Sequence, residues 1–182
     1  AKAAGSGTPE SGGVGPRGPV GAPVGAKVVD RLVINSPGVY ENLIVDGGFK
    51  AVILVKITAD HVTLRNCTIR NGMRDGIDVT GKDVIIERCH IHHMLAGTFK
   101  GQLDALGITG RPVELTVRDC DIHHVSGDCL QFDPARGPWT NVMVEHCALW
   151  TGPLESDAAG FKKGERPGEN AVDTKQQPRN PR

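Results

Sequence analysis

The sequence predicts an all-β solenoid, and three observations carry that expectation. First, segments of alternating apolar and polar residues recur, each with a cysteine followed two places later by Ile or Leu: "VTLRNCTIRNG" (62–72), "VIIERCHIHHM" (84–94), "LTVRDCDIHHV" (115–125) and "VMVEHCALWTG" (142–152). Second, between and after them lies another alternating set: "DGIDVT" (75–80), "DALGIT" (104–109), "DCLQFD" (128–133) and "NAVDTK" (170–175). Third, the cysteines are spaced 22, 31 and 27 residues apart. Two short strands per turn, repeating every twenty to thirty residues, describe a stacked repeat in which each turn buries its apolar face against its neighbours. A helical reading fails because the period is two and the segments are β-branched, bounded by Gly and Asp.

Composition bounds what such a chain does. With 182 residues there is enough for one domain with a core, and the 24 glycines suit a fold with many turns. Lysines and arginines match the acidic residues at 21 each, so no global field draws in nucleic acid or an anionic membrane surface. No apolar run is long enough to span a bilayer. Five cysteines, an odd number, argue against a fully paired disulfide framework. The start at Ala1 fits a processed chain or a fragment, and a secreted or cell-surface location, the periplasm included. Residues 1–27, rich in Gly, Pro and Ala, read as a flexible tail, which leaves 28–182 as the repeat domain.

Strand alternation sorts the columns. In the second set Val55, Ile77, Leu106, Leu130 and Val172 point inward, followed by Ile57, Val79, Ile108, Phe132 and Thr174. The outward columns are then Lys56, Asp78, Gly107, Gln131 and Asp173, and Thr58, Thr80, Thr109, Asp133 and Lys175. Asp75, Asp104, Asp128 and Asn170 stand at the strand entries, where they bond turn amides as a stacked ladder. Cys67, Cys89, Cys120 and Cys147 share inward parity and are expected as free thiols.

Two groups of outward residues are candidates for chemistry. His90, His92, Asp121 and His123 form a grid one coil by two residues, small enough for a zinc or copper ion; stacked surface imidazoles are the plainer reading. The other group gathers at the last coil. There Gln131, Asp133, Asp173 and Lys175 lie on adjacent strands, and the long basic loop 151–168 brings Lys162, Lys163 and Arg166, with Arg136 nearby. A surface ion pair between Lys175 and a neighbouring carboxylate is the alternative.

The recurring Asn-Cys-x-Ile type of segment resembles right-handed parallel β-helix proteins of the pectate-lyase-like superfamily, over about residues 28–176, with about five coils. The resemblance implies a polysaccharide lyase that cleaves a uronic-acid-containing chain by β-elimination on the outward face of a sheet. It makes Lys175 the base, Asp133 and Asp173 calcium ligands, and Gln131, Arg136, Lys162, Lys163 and Arg166 the grip on an acidic polysaccharide. Calcium takes six to eight oxygen ligands, so two aspartates need further donors. Two alternatives stay open: a glycoside hydrolase using Asp133 and Asp173, or Asp78, and a non-catalytic binding, adhesin or assembly protein that self-associates through an uncapped C-terminal end.

Overall fold

The computed structural model describes residues 15–96 and 105–175. They form three parallel sheets. The first contains Lys27–Val29, Leu43–Asp46, Thr68–Gly72, His90–Met94, Asp121–Val125 and Ala148–Trp150, in that spatial order. The second contains Leu32–Ile34, Ile53–Ile57, Asp75–Val79, Leu106–Gly110, Leu130–Phe132 and Val172–Thr174. The third contains Gly38–Glu41, Val62–Arg65, Lys82–Glu87, Val113–Arg118 and Thr140–Glu145. The chain visits first, second and third sheet in turn, giving five complete coils and two strands of a sixth: a parallel β-helix.

Each coil therefore has three strands, not the two read from the sequence. Every cysteine segment is a pair of strands broken just before the cysteine. The break is one residue in the left-handed region: Asn66, Arg88, Asp119 and His146, with φ of 50, 49, 52 and 50°. Such a residue turns the chain sharply while apolar residues on either side keep facing inward. Asn and Asp take this conformation at small cost; Arg88 takes it only because the coils above and below impose it.

The core is thin and continuous. Val55, Ile77, Ile108 and Leu130 stack in one buried column, and Cys67, Cys89 and Cys120 in another, with Cys147 half-buried at its end. All five cysteines are free thiols, and burial pushes the Cys89 thiol up. Each fully buried Ile or Leu contributes roughly 1.5–3 kcal/mol. Stacked ion pairs brace the outside from coil to coil: Glu41 with Arg65 at 2.5 Å, Asp46 with Arg70 at 2.7 Å and Glu87 with Arg118 at 2.7 Å.

The register of the second sheet corrects the sequence-based columns at one strand. Ile108 pairs with both Ile77 and Leu130, so the strand at 106–110 sits two residues from its expected place. Thr109, not Gly107, stands between Asp78 and Gln131, and Leu106 takes the position expected for Asp104, which lies outside the described residues. Thr109 is buried rather than outward and open. Arg111 follows Gly110 at the level of Thr80 and Asp133. Val172 and Thr174 were expected inside; their strand is the outermost of its sheet, and both are exposed.

The Gly/Pro-rich segment is in two parts. Residues 1–14 lie outside the described residues, while residues 15–26 run along the corner between the third and first sheets, from the later coils back to the first. Arg17 holds Asp119 through both carboxylate oxygens at 2.8 and 2.9 Å. The Gly21 amide donates to the Arg88 carbonyl and the Ala22 amide to Thr68 Oγ1. Gly21, at φ 87°, lies so close that a Cβ there would meet Thr68 Oγ1 at 2.8 Å and His90 Cβ at 3.1 Å.

This strap gives a pH prediction. Arg17 pulls Asp119 down to about 2, against an ordinary aspartate near 3.9. A depressed folded-state pKa means that the contact is fully present above the ordinary value and is lost as pH falls through about 2. Hydrogen-exchange protection of the Arg17 and Gly21 amides, corrected for intrinsic rates, should hold at pH near 5 and be lost only as pH falls through about 2. At neutral pH Asp119→Asn, which keeps a residue suited to the left-handed corner, should speed tryptic cleavage after Arg17 severalfold and leave the core melting almost unchanged.

Candidate functional site

The second sheet presents the outward face expected to carry chemistry. One column reads Lys56, Asp78, Thr109, Gln131 and Asp173; the next, continued by register, reads Thr58, Thr80, Arg111, Asp133 and Lys175. Lys56, Thr58, Asp78, Thr80, Gly110 and Arg111 line a shallow depression of about 350 Å³. Arg111 is the residue that sequence reasoning missed. Shifting a strand by two preserves its in-out alternation, so periodicity carried no trace of the change.

At the last coil Lys175 contacts Asp173 directly, and its backbone amide donates to the Phe132 carbonyl at 3.1 Å. The hydrogen bond to Asp173 raises the lysine's pKa, and the same contact lowers that of the carboxylate. Asp133 is engaged locally: its Oδ1 accepts from the Ala135 amide at 2.8 Å and caps the short 3-10 turn Pro134–Arg136. Gln131 donates to Asp128 Oδ2 at 3.0 Å, and Asp128 also accepts from the amide and side chain of Asn170. Asp128 is thus a structural clamp between strand entries, as the ladder reading expects.

The loop 151–168 folds on itself. Leu154 is buried, its amide donates to the Glu165 carbonyl at 2.8 Å, and Ala158 bridges Phe161. Asp157 accepts from Lys162 Nζ at 3.1 Å and from the Lys163 amide at 2.9 Å, so the basic tip is internally braced. Lys162, Lys163 and Arg166 are exposed. The start of the loop lies against the histidines of the first sheet: a Cβ on Gly152 would be 3.8 Å from His124 Nε2.

Those histidines form a larger group than the expected grid. His90 pairs with Asp121 and His92 with His123 across the coils, as predicted. His93 and His124, left out of that grid, join them. Both adopt the left-handed conformation, φ 58 and 50°, which inserts an extra residue and lets Met94 and Val125 resume the inward column. The clue in the sequence was the doublet itself, since "IHHM" and "IHHV" put two polar residues between apolar ones where strict alternation allows one.

Three nitrogen–nitrogen contacts link the rings: His90 Nε2 to His123 Nε2 at 2.8 Å, His92 Nδ1 to His93 Nδ1 at 2.7 Å, and His123 Nδ1 to His124 Nδ1 at 2.5 Å. Trp150 stacks on His123 at 4.4 Å and donates from Nε1 to Asp121 Oδ1 at 2.7 Å. Burial drives His92 down to about 2 and His123 to about 3, and lowers His90 and His93 as well. Neutral imidazoles each carry one donor and one acceptor nitrogen, which is what chains of ring contacts require.

Three sheets of stacked short strands, with polar columns outside and an apolar column inside, define a β-helix protein. Residues 51–150, more than half of the chain, match the family described as right handed beta helix region, and the protein belongs to that family. No curated protein and no solved structure matches the chain.

Proposed function

We propose that this β-helix protein is carbohydrate-active: it holds a uronic-acid-containing polysaccharide along the outward face of the second sheet and cleaves it by β-elimination. The observation that supports this reading is the alternation of cations with carboxylates and hydroxyls on that face. Lys56, Arg111 and Lys175 recur among Thr58, Thr80, Asp78, Gln131 and Asp133, at a rise of about 4.8 Å per coil. A pyranose ring with its linkage is of similar length, so the carboxylates of alternate sugars meet Lys56, Arg111 and Lys175 in turn. The likeness to the pectate-lyase-like superfamily points the same way.

Elimination abstracts the proton α to the uronate carboxyl group and needs that carboxylate neutralised. Arg111 supplies a fixed positive charge; Asp133 and Asp173 would hold a calcium ion together with water, and that ion would supply the rest of the neutralisation. With Asp173 so engaged, Lys175 would lose the partner that raises its pKa and could serve as the base. The hydrolase alternative rests on Asp133 and Asp173, which stand on neighbouring strands; Asp78 does not fit it. Asp78 and Asp173 lie three coils apart in one column, roughly 14 Å at strand spacing. Glycosidase carboxyl pairs stand only about 5–9.5 Å apart.

Binding without cleavage is a second reading, favoured by one observation: without a cation, Asp173 keeps Lys175 charged. The test is ultraviolet absorbance of unsaturated uronate product on a panel of acidic polysaccharides, with and without calcium. Product that appears only with calcium supports elimination. Retention on polysaccharide without product supports binding alone, and neither result in folded protein sinks both. Arg111→Ala should raise KM or weaken retention by about tenfold, the loss of one charge-assisted contact.

A further inference from the structure

Beyond the second sheet, the first sheet carries a cluster that the carbohydrate reading does not use. We propose that His93, His123 and His124 form a binding site for one transition-metal ion of the zinc class, with His90 backing His123 from its other nitrogen and Asp121 beside that pair.

The geometry comes first. His93, His123 and His124 each offer a ring nitrogen, and these atoms all lie within 4.8 Å of one another. In a tetrahedral site with metal–nitrogen bonds near 2.0–2.1 Å, ligand nitrogens stand about 3.3 Å apart. The three nitrogens lie within about 1.5 Å of that spacing, inside the reach of ring rotation. His123 and His124 are at most 8 % exposed and lie against Trp150 and the start of the loop, while His93 is half-buried. His124 Nε2 is buried and has no hydrogen-bond partner among the described residues. Leaving such an atom unsatisfied costs roughly 1–3 kcal/mol, which a metal bond removes.

Stacked surface imidazoles would share only the outward column of each strand. Here the left-handed residues His93 and His124 bring a second histidine per coil to the same side, converting a row into a convergent set. The backing groups fit the same purpose. His90, Asp121 and His123 form a second set within 4.8 Å, with His90 Nε2 on His123 Nε2 and Trp150 fixing Asp121. A ligating histidine whose other nitrogen is hydrogen-bonded has its tautomer and ring orientation set.

The test is titration of the chelator-treated full chain with Zn²⁺, and with Co²⁺ as a spectroscopic probe. The expected result is one equivalent bound, with the visible bands of a four-coordinate cobalt site and a raised melting temperature. His93→Ala and His124→Ala should each weaken binding beyond the roughly 10–100-fold that a backing residue commands, and Asp121→Asn within that range. His61→Ala, at an exposed histidine paired with Asp83 on the third sheet, should change nothing. Half-buried His93 keeps the test valid if His124→Ala does not fold. Wild type that takes up no Zn²⁺, or one-equivalent binding that survives His93→Ala, would overturn the proposal. Because the readout is metal occupancy, failure here leaves the carbohydrate reading untouched.

Discussion

Gly110→Ala is expected to destabilise the protein by about 3–5 kcal/mol, the sum of backbone strain and a steric clash. Gly110 has φ 129°, a region that L side chains rarely adopt, and a Cβ there would fall 2.0 Å from the Val79 carbonyl oxygen and 2.7 Å from its amide nitrogen. Both contacts are backbone, so no rotamer change relieves them. The coils are held at strand spacing on both sides, and local movement would break the pairing of Gly110 with Val79. For a chain of this size the melting temperature should fall by roughly 6–20 °C in thermal unfolding. Gly48→Ala is the control: its φ is 54° and nothing lies within 4 Å of the added Cβ, so the cost should be only about 1–2 kcal/mol. Equal melting temperatures for the two variants would mean that the backbone contact does not fix this register. The register matters for function because it sets Arg111 beside Thr80 and Asp133.

The same strand shows where sequence reasoning reaches its limit. Alternation told inside from outside at Ile77, Ile108 and Leu130 because burial acts on side chains one by one. It carried no information on which coil level each residue occupies, since a two-residue shift leaves every side chain on its own face. Placing "DALGIT" level with "DGIDVT" therefore put Thr109 where Arg111 stands. The third strand per coil was hidden for a related reason. The corners at Asn66 and Asp119 take one residue each, so the apolar rhythm ran on through the bend. The histidine doublets were legible in principle, because two polar residues between Ile91 and Met94 break a period of two and mark an inserted left-handed residue. The strap at residues 15–26 was not legible. What holds it is an arginine reaching a carboxylate 102 positions away, with backbone amides of Gly21 and Ala22 on Arg88 and Thr68, and none of these pairings leaves a mark on apolar periodicity.

Lys175→Ala should abolish elimination, lowering kcat by about 10²–10⁴-fold, the usual contribution of a general base. Polysaccharide retention should change far less, because Lys56 and Arg111 remain. The pH dependence follows from the observed pair. Asp173 holds Lys175 protonated, so in low calcium the free amine forms only at high pH, and activity should climb with pH without reaching a plateau near neutrality. Adding calcium should move that rise to lower pH, as the ion takes up the carboxylate. Asp173→Asn separates the two roles of the carboxylate. If Asp173 only restrains the lysine, the variant should be active at lower pH and without calcium. If Asp173 is a calcium ligand, the variant should need far more calcium to reach the same rate. A Lys175→Ala protein that retains wild-type kcat would remove Lys175 from the chemistry. The Asp173–Lys175 contact would then be a surface ion pair, and Arg111 would be the cation around which the site must be rebuilt.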